Sequence, residues 1–142
     1  MDARDTTLDR LGLEVLSPQE CWDLLAAAPV GRLAFVDGGA PMVLPVTHRV
    51  VGRRVVFRSP AGGKLSAAVV AAPVAFEVDE WDADGRTGWS VVARGVAESS
   101  PDDVAALEGL GLDPWLDEAR RATWVQVRVD EVTGRRLGPA GA

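Results

Sequence analysis

The feature that most constrains this chain is a succession of short β-type runs joined by tight-turn residues. Arg32–Val36, Met42–Val50, Arg54–Ser59, Val74–Trp81, Trp89–Glu98 and Trp124–Val129 are rich in valine, phenylalanine, tryptophan and threonine. Such residues suit a pleated, half-buried surface. Asp37-Gly38-Gly39-Ala40 and Val51-Gly52-Arg53 supply turn chemistry between the first three runs. Strand and helix do not alternate regularly, so a doubly wound sheet is disfavoured. Six strands with short turns and small helices predict a mainly β fold, a β-barrel. Pro45 lies within the second run and has no N–H to give a ladder, so that strand has an edge or a bulge there.

The helices are small. Ser17-Pro18-Gln19-Glu20 reads as a capping box with proline at the first helical position. Cys21, Leu24, Leu25 and Ala28 then fall on one face, and Pro29 ends the helix. Further short helices are expected over 64–72, from Ser100 to about Leu107, and over 114–121. Residues 1–15 show little periodicity and are expected to form a flexible arm ahead of one domain spanning 16–138.

At 142 residues the chain can bury a core without disulfides or metals. The single cysteine, Cys21, forbids an intrachain disulfide. The polar start and the absence of long apolar runs argue for a cytoplasmic protein with no membrane association. The net charge of −6 and the scattered arginine pairs offer no footprint for nucleic acid. One histidine and one cysteine make a zinc site implausible, so no metal is expected. Glu80-x-Asp82-x-Asp84-Gly85 imitates the start of a calcium loop, but its twelfth position would be Val91, and an acidic solvated loop is the better reading.

Three constellations carry possible chemistry. Phe57-Arg58-Ser59-Pro60-Ala61-Gly62-Gly63-Lys64 leads into a helical stretch. Free backbone N–H groups, two cations and a hydroxyl are what a phosphate needs, although a solvated turn has the same composition. Lys64 is the only lysine among 15 basic residues, and a compact ammonium is not interchangeable with a guanidinium. Leu44-Pro45-Val46-Thr47-His48 is an interrupted strand whose backbone groups and hydroxyl suit the polar edge of a ring. Its plain alternative is an edge strand guarded by proline. Gly88-Trp89-Ser90-Val91 offers an aromatic wall and a hydroxyl donor, against the alternative of a core tryptophan. His48 is read as a polar strand residue rather than a catalytic one.

In this order, with the Leu16–Trp22 helix, Val30-Gly31-Arg32-Leu33-Ala34 and Pro73–Val78, these segments resemble the pyridoxamine 5′-phosphate oxidase-like family of flavin-binding split barrels. The resemblance covers roughly Leu16 to Leu137. It implies a six-stranded split barrel that forms a homodimer, with flavin sites at the subunit interface. It implies FMN as cofactor, with a deazaflavin coenzyme as the alternative. Lys64, Gly63, Phe57, Arg58 and Ser59 would serve the phosphate, Pro45, Val46 and Thr47 the ring and ribityl chain, and Trp89 and Ser90 the rest of the pocket. The family resemblance does not by itself fix an activity; the leading expectation is a flavin-dependent oxidoreductase acting on a small molecule. Flavin or deazaflavin storage without turnover, and a deazaflavin-dependent reductase, are the alternatives. Relatives often carry an aromatic residue where His48 stands.

Overall fold

The computed structural model describes Leu8 and residues 12–59, 69–99 and 123–138. Among the described residues one helix, α1 (Pro18–Ala27), precedes seven strands. These are β1 (Val30–Asp37), β2 (Ala40–Thr47), β3 (Arg49–Val51), β4 (Arg54–Ser59), β5 (Pro73–Asp82), β6 (Thr87–Ser99) and β7 (Thr123–Leu137). The strands form one antiparallel sheet in the order β2-β1-β5-β6-β7-β4-β3.

The first and last strands of that order are consecutive in the chain. A single residue, His48, separates β2 on one edge from β3 on the other. The sheet must therefore curl until its two edges meet, and β2 and β4 are in contact across the seam. This is a split β-barrel: closure reduces the edges that an open sheet would expose. The expected second strand, Met42–Val50, is really two, broken at His48, which is why seven strands stand where six are expected. Pro45 sits in β2, which among the described residues pairs only with β1, in unbroken register opposite Arg32. The proline is thus accommodated by an edge and not by a bulge.

Closure creates an inside and an outside. The interior holds Leu33, Val46, Val55, Phe57, Phe76, Val78, Val91, Ala93, Val125 and Val127, all buried. Leu16, Cys21 and Leu25 of the α1 segment close it over. The helix starts as the sequence predicts. Ser17 Oγ accepts from Glu20 N at 3.2 Å, and Glu20 Oε1 accepts from Ser17 N at 3.1 Å. A second, smaller apolar cluster of Val56 and Trp124, joined by Val51, lies on the other face of β4 and β7.

Two long strands exceed expectation. β7 runs on to Leu137 instead of ending at Val129, and β6 starts at Thr87. Gly134 lowers strand propensity in sequence, yet here it makes room for the helix: a Cβ would stand 2.8 Å from Cys21 Sγ. A register shift at Arg94/Gly95 leaves Asp130 as the extra residue of a bulge on β7, and a Cβ on Gly95 would strike the Arg128 carbonyl. The end of the N-terminal arm is tied to β7: Leu16 N donates to Gly134 O and Arg136 N to Glu14 O, both at 2.9 Å. Of the expected 64–72 helix, only Val69 is described as helical. Val70 already bridges to Ala97, and Ala71 has φ 65°. The expected helices over 100–107 and 114–121, and Trp115, lie outside the described residues.

Candidate functional site

The seam places two of the three constellations side by side. Arg49 pairs with Val56 in the β3–β4 ladder. β2 also touches β4 across the seam, which brings the Val46–His48 and Phe57–Arg58 segments into one neighbourhood. Side chains alternate along each strand, so neighbours point to opposite faces. Val46, His48 and Phe57 are buried inside the barrel; Thr47 and Arg58 are half-buried on its outer surface. Pro45 shares the outer face with Thr47 and is exposed. The guanidinium of Arg58 lies over the Trp124 ring, 5.1 Å from its centroid. That stacking holds a cation against the outer face of β4 and β7.

The third constellation is split by the same alternation. Trp89 shares the inward face with Val91 and Ala93 and packs against the core. It lines a hollow of about 370 Å³ beside the end of α1, with Leu24, Ala28, Val30, Arg32 and Asp79. Ser90 faces outward and lines a different hollow, of about 420 Å³, with Glu77, Asp79, Trp81 and Thr133. Asp79 and Glu80 border both. Trp89 and Ser90 are therefore adjacent in sequence but line different hollows, which meet at Asp79 and Glu80. Ser90 instead belongs with Thr47. Ser90 pairs with Asp79, and Val30 with Thr47. Continuing the β1–β5 register brings Val30 beside Asp79. The row Ser90, Asp79, Val30, Thr47 then spans three strand spacings, up to about 14 Å along the outer face.

Ser59 lies at the end of β4, its backbone paired with Thr123. Gly63 and Lys64 lie outside the described residues.

An unanticipated network occupies the same face. Arg32 Nη1 donates to Glu77 Oε1 at 3.1 Å and to Asp79 Oδ2 at 2.8 Å, and Ser90 Oγ donates to Glu77 Oε2 at 3.3 Å. Burial, reinforced by the neighbouring Asp79 carboxylate, pushes the Glu77 carboxyl above its usual range; Arg32 opposes the shift. The sequence signal was the outward alternation of Glu77 and Asp79 opposite inward Phe76 and Val78. What could not be read was that β1 brings Arg32 against them.

His48 is a structural residue of the interior. Its Nε2 is 2.9 Å from Leu25 O; a carbonyl only accepts, so Nε2 carries the proton. The ring meets Phe76 edge-on, with centroids 4.7 Å apart. Burial holds its pKa below the ordinary histidine value, with the Leu25 contact opposing that shift and Arg49 adding to it. His48 thus ties the β2–β3 corner to the last turn of α1 and does not face the outer surface.

A single curled sheet whose edge strands are joined at His48 and touch across the seam defines this chain as a split-barrel protein. Residues 17–136 match the family model described as pyridoxamine 5′-phosphate oxidase, and the chain belongs to that family. It is 39% identical over 129 residues to Uncharacterized protein Rv0080 of Mycobacterium tuberculosis (strain ATCC 25618 / H37Rv), covering 86% of this chain and 84% of the relative. It is similar to the FAD binding protein from Mycobacterium smegmatis, with a TM-score of 0.72 and 35% identity, over 88% of this chain and 98% of the other. It is also similar to a FAD-binding protein from Mesorhizobium loti, with a TM-score of 0.70 and 26% identity, over 89% and 99% of the two chains.

Proposed function

We propose that this protein binds a flavin on the outer face of the barrel seam and acts as a flavin-dependent oxidoreductase on a small molecule. The observation that carries the reading is the contact of β2 with β4 across the seam, with Thr47 and Arg58 half-buried on the face opposite the buried Val46, His48 and Phe57. The residues fit such a group. Arg58 supplies a fixed cation for a phosphate, Thr47 a hydroxyl for the ring or ribityl chain, and Pro45 and Val30 an apolar floor. Lys64 and Gly63 follow Arg58 and Ser59 in the chain and would complete the phosphate cradle. Bound flavin supplies the electron chemistry; the protein's part is to hold and orient it and exclude water. The names of the two solved relatives support a flavin in general. FMN is the expectation from the resemblance, and the mass of the released cofactor decides between FMN, FAD and a deazaflavin.

A homodimer is part of the proposal. A flavin on an outer face stays wet unless something covers it, and a second copy is the simplest cover. Exposed Val36, Met42 and Val43 border an apolar hollow of about 600 Å³ on β1, β2 and β5, which supports self-association. The deciding experiment is the absorbance spectrum of the purified protein, followed by anaerobic photoreduction and reoxidation with candidate acceptors. A yellow protein that reduces and hands its electrons on supports the oxidoreductase. Binding without transfer leaves a storage or sensing protein, and failure to take up any flavin removes the reading. Lys64→Ala should weaken flavin binding by about 1.5–3 kcal/mol, the scale of a charged hydrogen bond. Light scattering that shows a flavin-loaded monomer at micromolar concentration contradicts the dimer.

A further inference from the structure

Ser90 is the hydroxyl of the outer face whose proton has a destination within the protein. A serine hydroxyl has one proton to donate and two lone pairs that accept. The Ser90 proton goes to Glu77 Oε2 at 3.3 Å. Glu77 cannot turn away from it freely, because Arg32 Nη1 holds the other oxygen, Oε1, at 3.1 Å. Asp79 accepts from the same Arg32 nitrogen at 2.8 Å. Arg32 can only donate, so its position commits one Glu77 oxygen as an acceptor and leaves the other for Ser90. With its proton spent, Ser90 has only lone pairs to offer the hollow it lines beside Asp79 and Trp81.

An oxidised flavin ring carries several acceptors, its two carbonyls and two unsubstituted nitrogens, but a single N–H, at N3. An acceptor hydroxyl has one ring partner available. We propose that Ser90 accepts a hydrogen bond from the N3–H of the flavin ring, and that Glu77 is the positioning residue that sets this polarity. This inference rests on the flavin reading above. FMN, FAD and the deazaflavin share the N3–H, so it does not depend on which of them is bound.

The test uses the flavin that the purified protein releases, FMN or FAD, and its N3-methyl analogue, titrated into the apoprotein. The wild type should bind the N3–H form about 3- to 10-fold more tightly, the range of one neutral hydrogen bond. Ser90→Ala should bring the ratio near one, while Ser90→Thr, which keeps the hydroxyl, should preserve it. A clash with the added methyl group would persist or grow in Ser90→Thr and would not respond to Glu77. Glu77→Gln should shrink the ratio, because its amide N–H can donate to the Ser90 oxygen and occupy a lone pair. Ser90 is half-buried, so these variants should melt close to the wild type. Equal binding of both flavins by the wild type, or a ratio that survives Ser90→Ala, overturns the role of Ser90. A ratio that ignores Glu77→Gln overturns the role of Glu77. A wild type that binds neither flavin fails in a different way, and it removes the parent reading and this inference together.

Discussion

The two sides of the sheet at the seam differ more than their adjacency in sequence suggests. On the inner side, Val46, His48 and Phe57 are buried and meet Leu25 and Phe76; the one polar group there satisfies a helix carbonyl. On the outer side, one residue away along each strand, Thr47 and Arg58 are half-buried, and the nearby Arg32, Glu77, Asp79 and Ser90 form a charged network. Inside, the residues hold the barrel shut. Outside, they present hydroxyls and charge. A strand of period two therefore lets one short segment, Val46-Thr47-His48, place two side chains in the core and one on the outer face. The separation predicts that mutations will sort by face rather than by position in the chain.

The largest effect belongs to the interior. Phe76→Ala empties a fully buried site that supports both Leu33, its β1 partner, and the His48 ring. A loss of about 3–5 kcal/mol in denaturant titration is expected, since little can collapse into the space. A loss under 1 kcal/mol would mean that the interior tolerates a cavity, and the contrast would weaken. Trp89→Ala should cost less, about 1–3 kcal/mol, because Trp89 is only half-buried at the mouth of the barrel. It faces inward, so flavin affinity should change less than it does in Ser90→Ala. The reverse pattern would place the ring against the inner mouth instead of the outer face.

His48 offers a pH test of the interior. Its folded pKa lies below its unfolded value because burial disfavours the cation. The unfolded state therefore binds the proton first, and stability falls as pH drops below about 6.5, the unfolded histidine value, until the folded pKa is passed. One group can contribute a slope of at most about 1.4 kcal/mol per pH unit there. His48→Asn should flatten the melting temperature between pH 6.5 and 5 while lowering it throughout. The carboxylates titrate in other directions and windows. Glu20, lowered first by the Ser17 backbone N–H, loses stabilisation as pH falls through the acid range. Glu77, raised by burial, stabilises less as pH climbs above the ordinary carboxylate value. Residual slope near pH 6 in the His48 variant would point to a group other than His48.

Much of this was open to sequence reading. Alternation, turn glycines, the Ser17–Glu20 capping box and the misfit of Pro45 with a central strand each reflect local chemistry, and each has its counterpart in the fold. The corner at His48 was not legible, because nothing local marks the residue at which a strand leaves one sheet edge for the other. The extension of β7 past Gly134 was hidden for a related reason: that glycine answers to Cys21 and Leu16, which are distant in the chain. That Pro45–Thr47 and Phe57–Ser59 should serve one site was an implication of the resemblance, while the opposed facing of Trp89 and Ser90 was already implicit in their parity. The Arg32–Glu77–Asp79 network required knowing that β1 lies beside β5.

The smallest stability effect should come from Thr47→Val, and it gives the cleanest division between the faces. The substitution exchanges a hydroxyl for a methyl group of similar size on a β-branched side chain, so strand propensity and packing volume barely change. Thr47 is half-buried and points away from the interior filled by Val46 and His48. Its hydroxyl is free to exchange with water in the absence of a ligand, and the change in unfolding free energy should stay within about 0.5 kcal/mol. Flavin affinity should behave otherwise. A ligand that accepts the hydroxyl proton would face a methyl group, leaving a desolvated acceptor without a partner, and binding should weaken about 3- to 10-fold. Melting and flavin titration on the same preparation separate the two quantities. A variant that melts several degrees lower but binds flavin normally would show Thr47 to be part of the packing at the seam. The outer face at the seam would then lose its hydroxyl, and the site would have to be sought further along the row, towards Asp79 and Ser90.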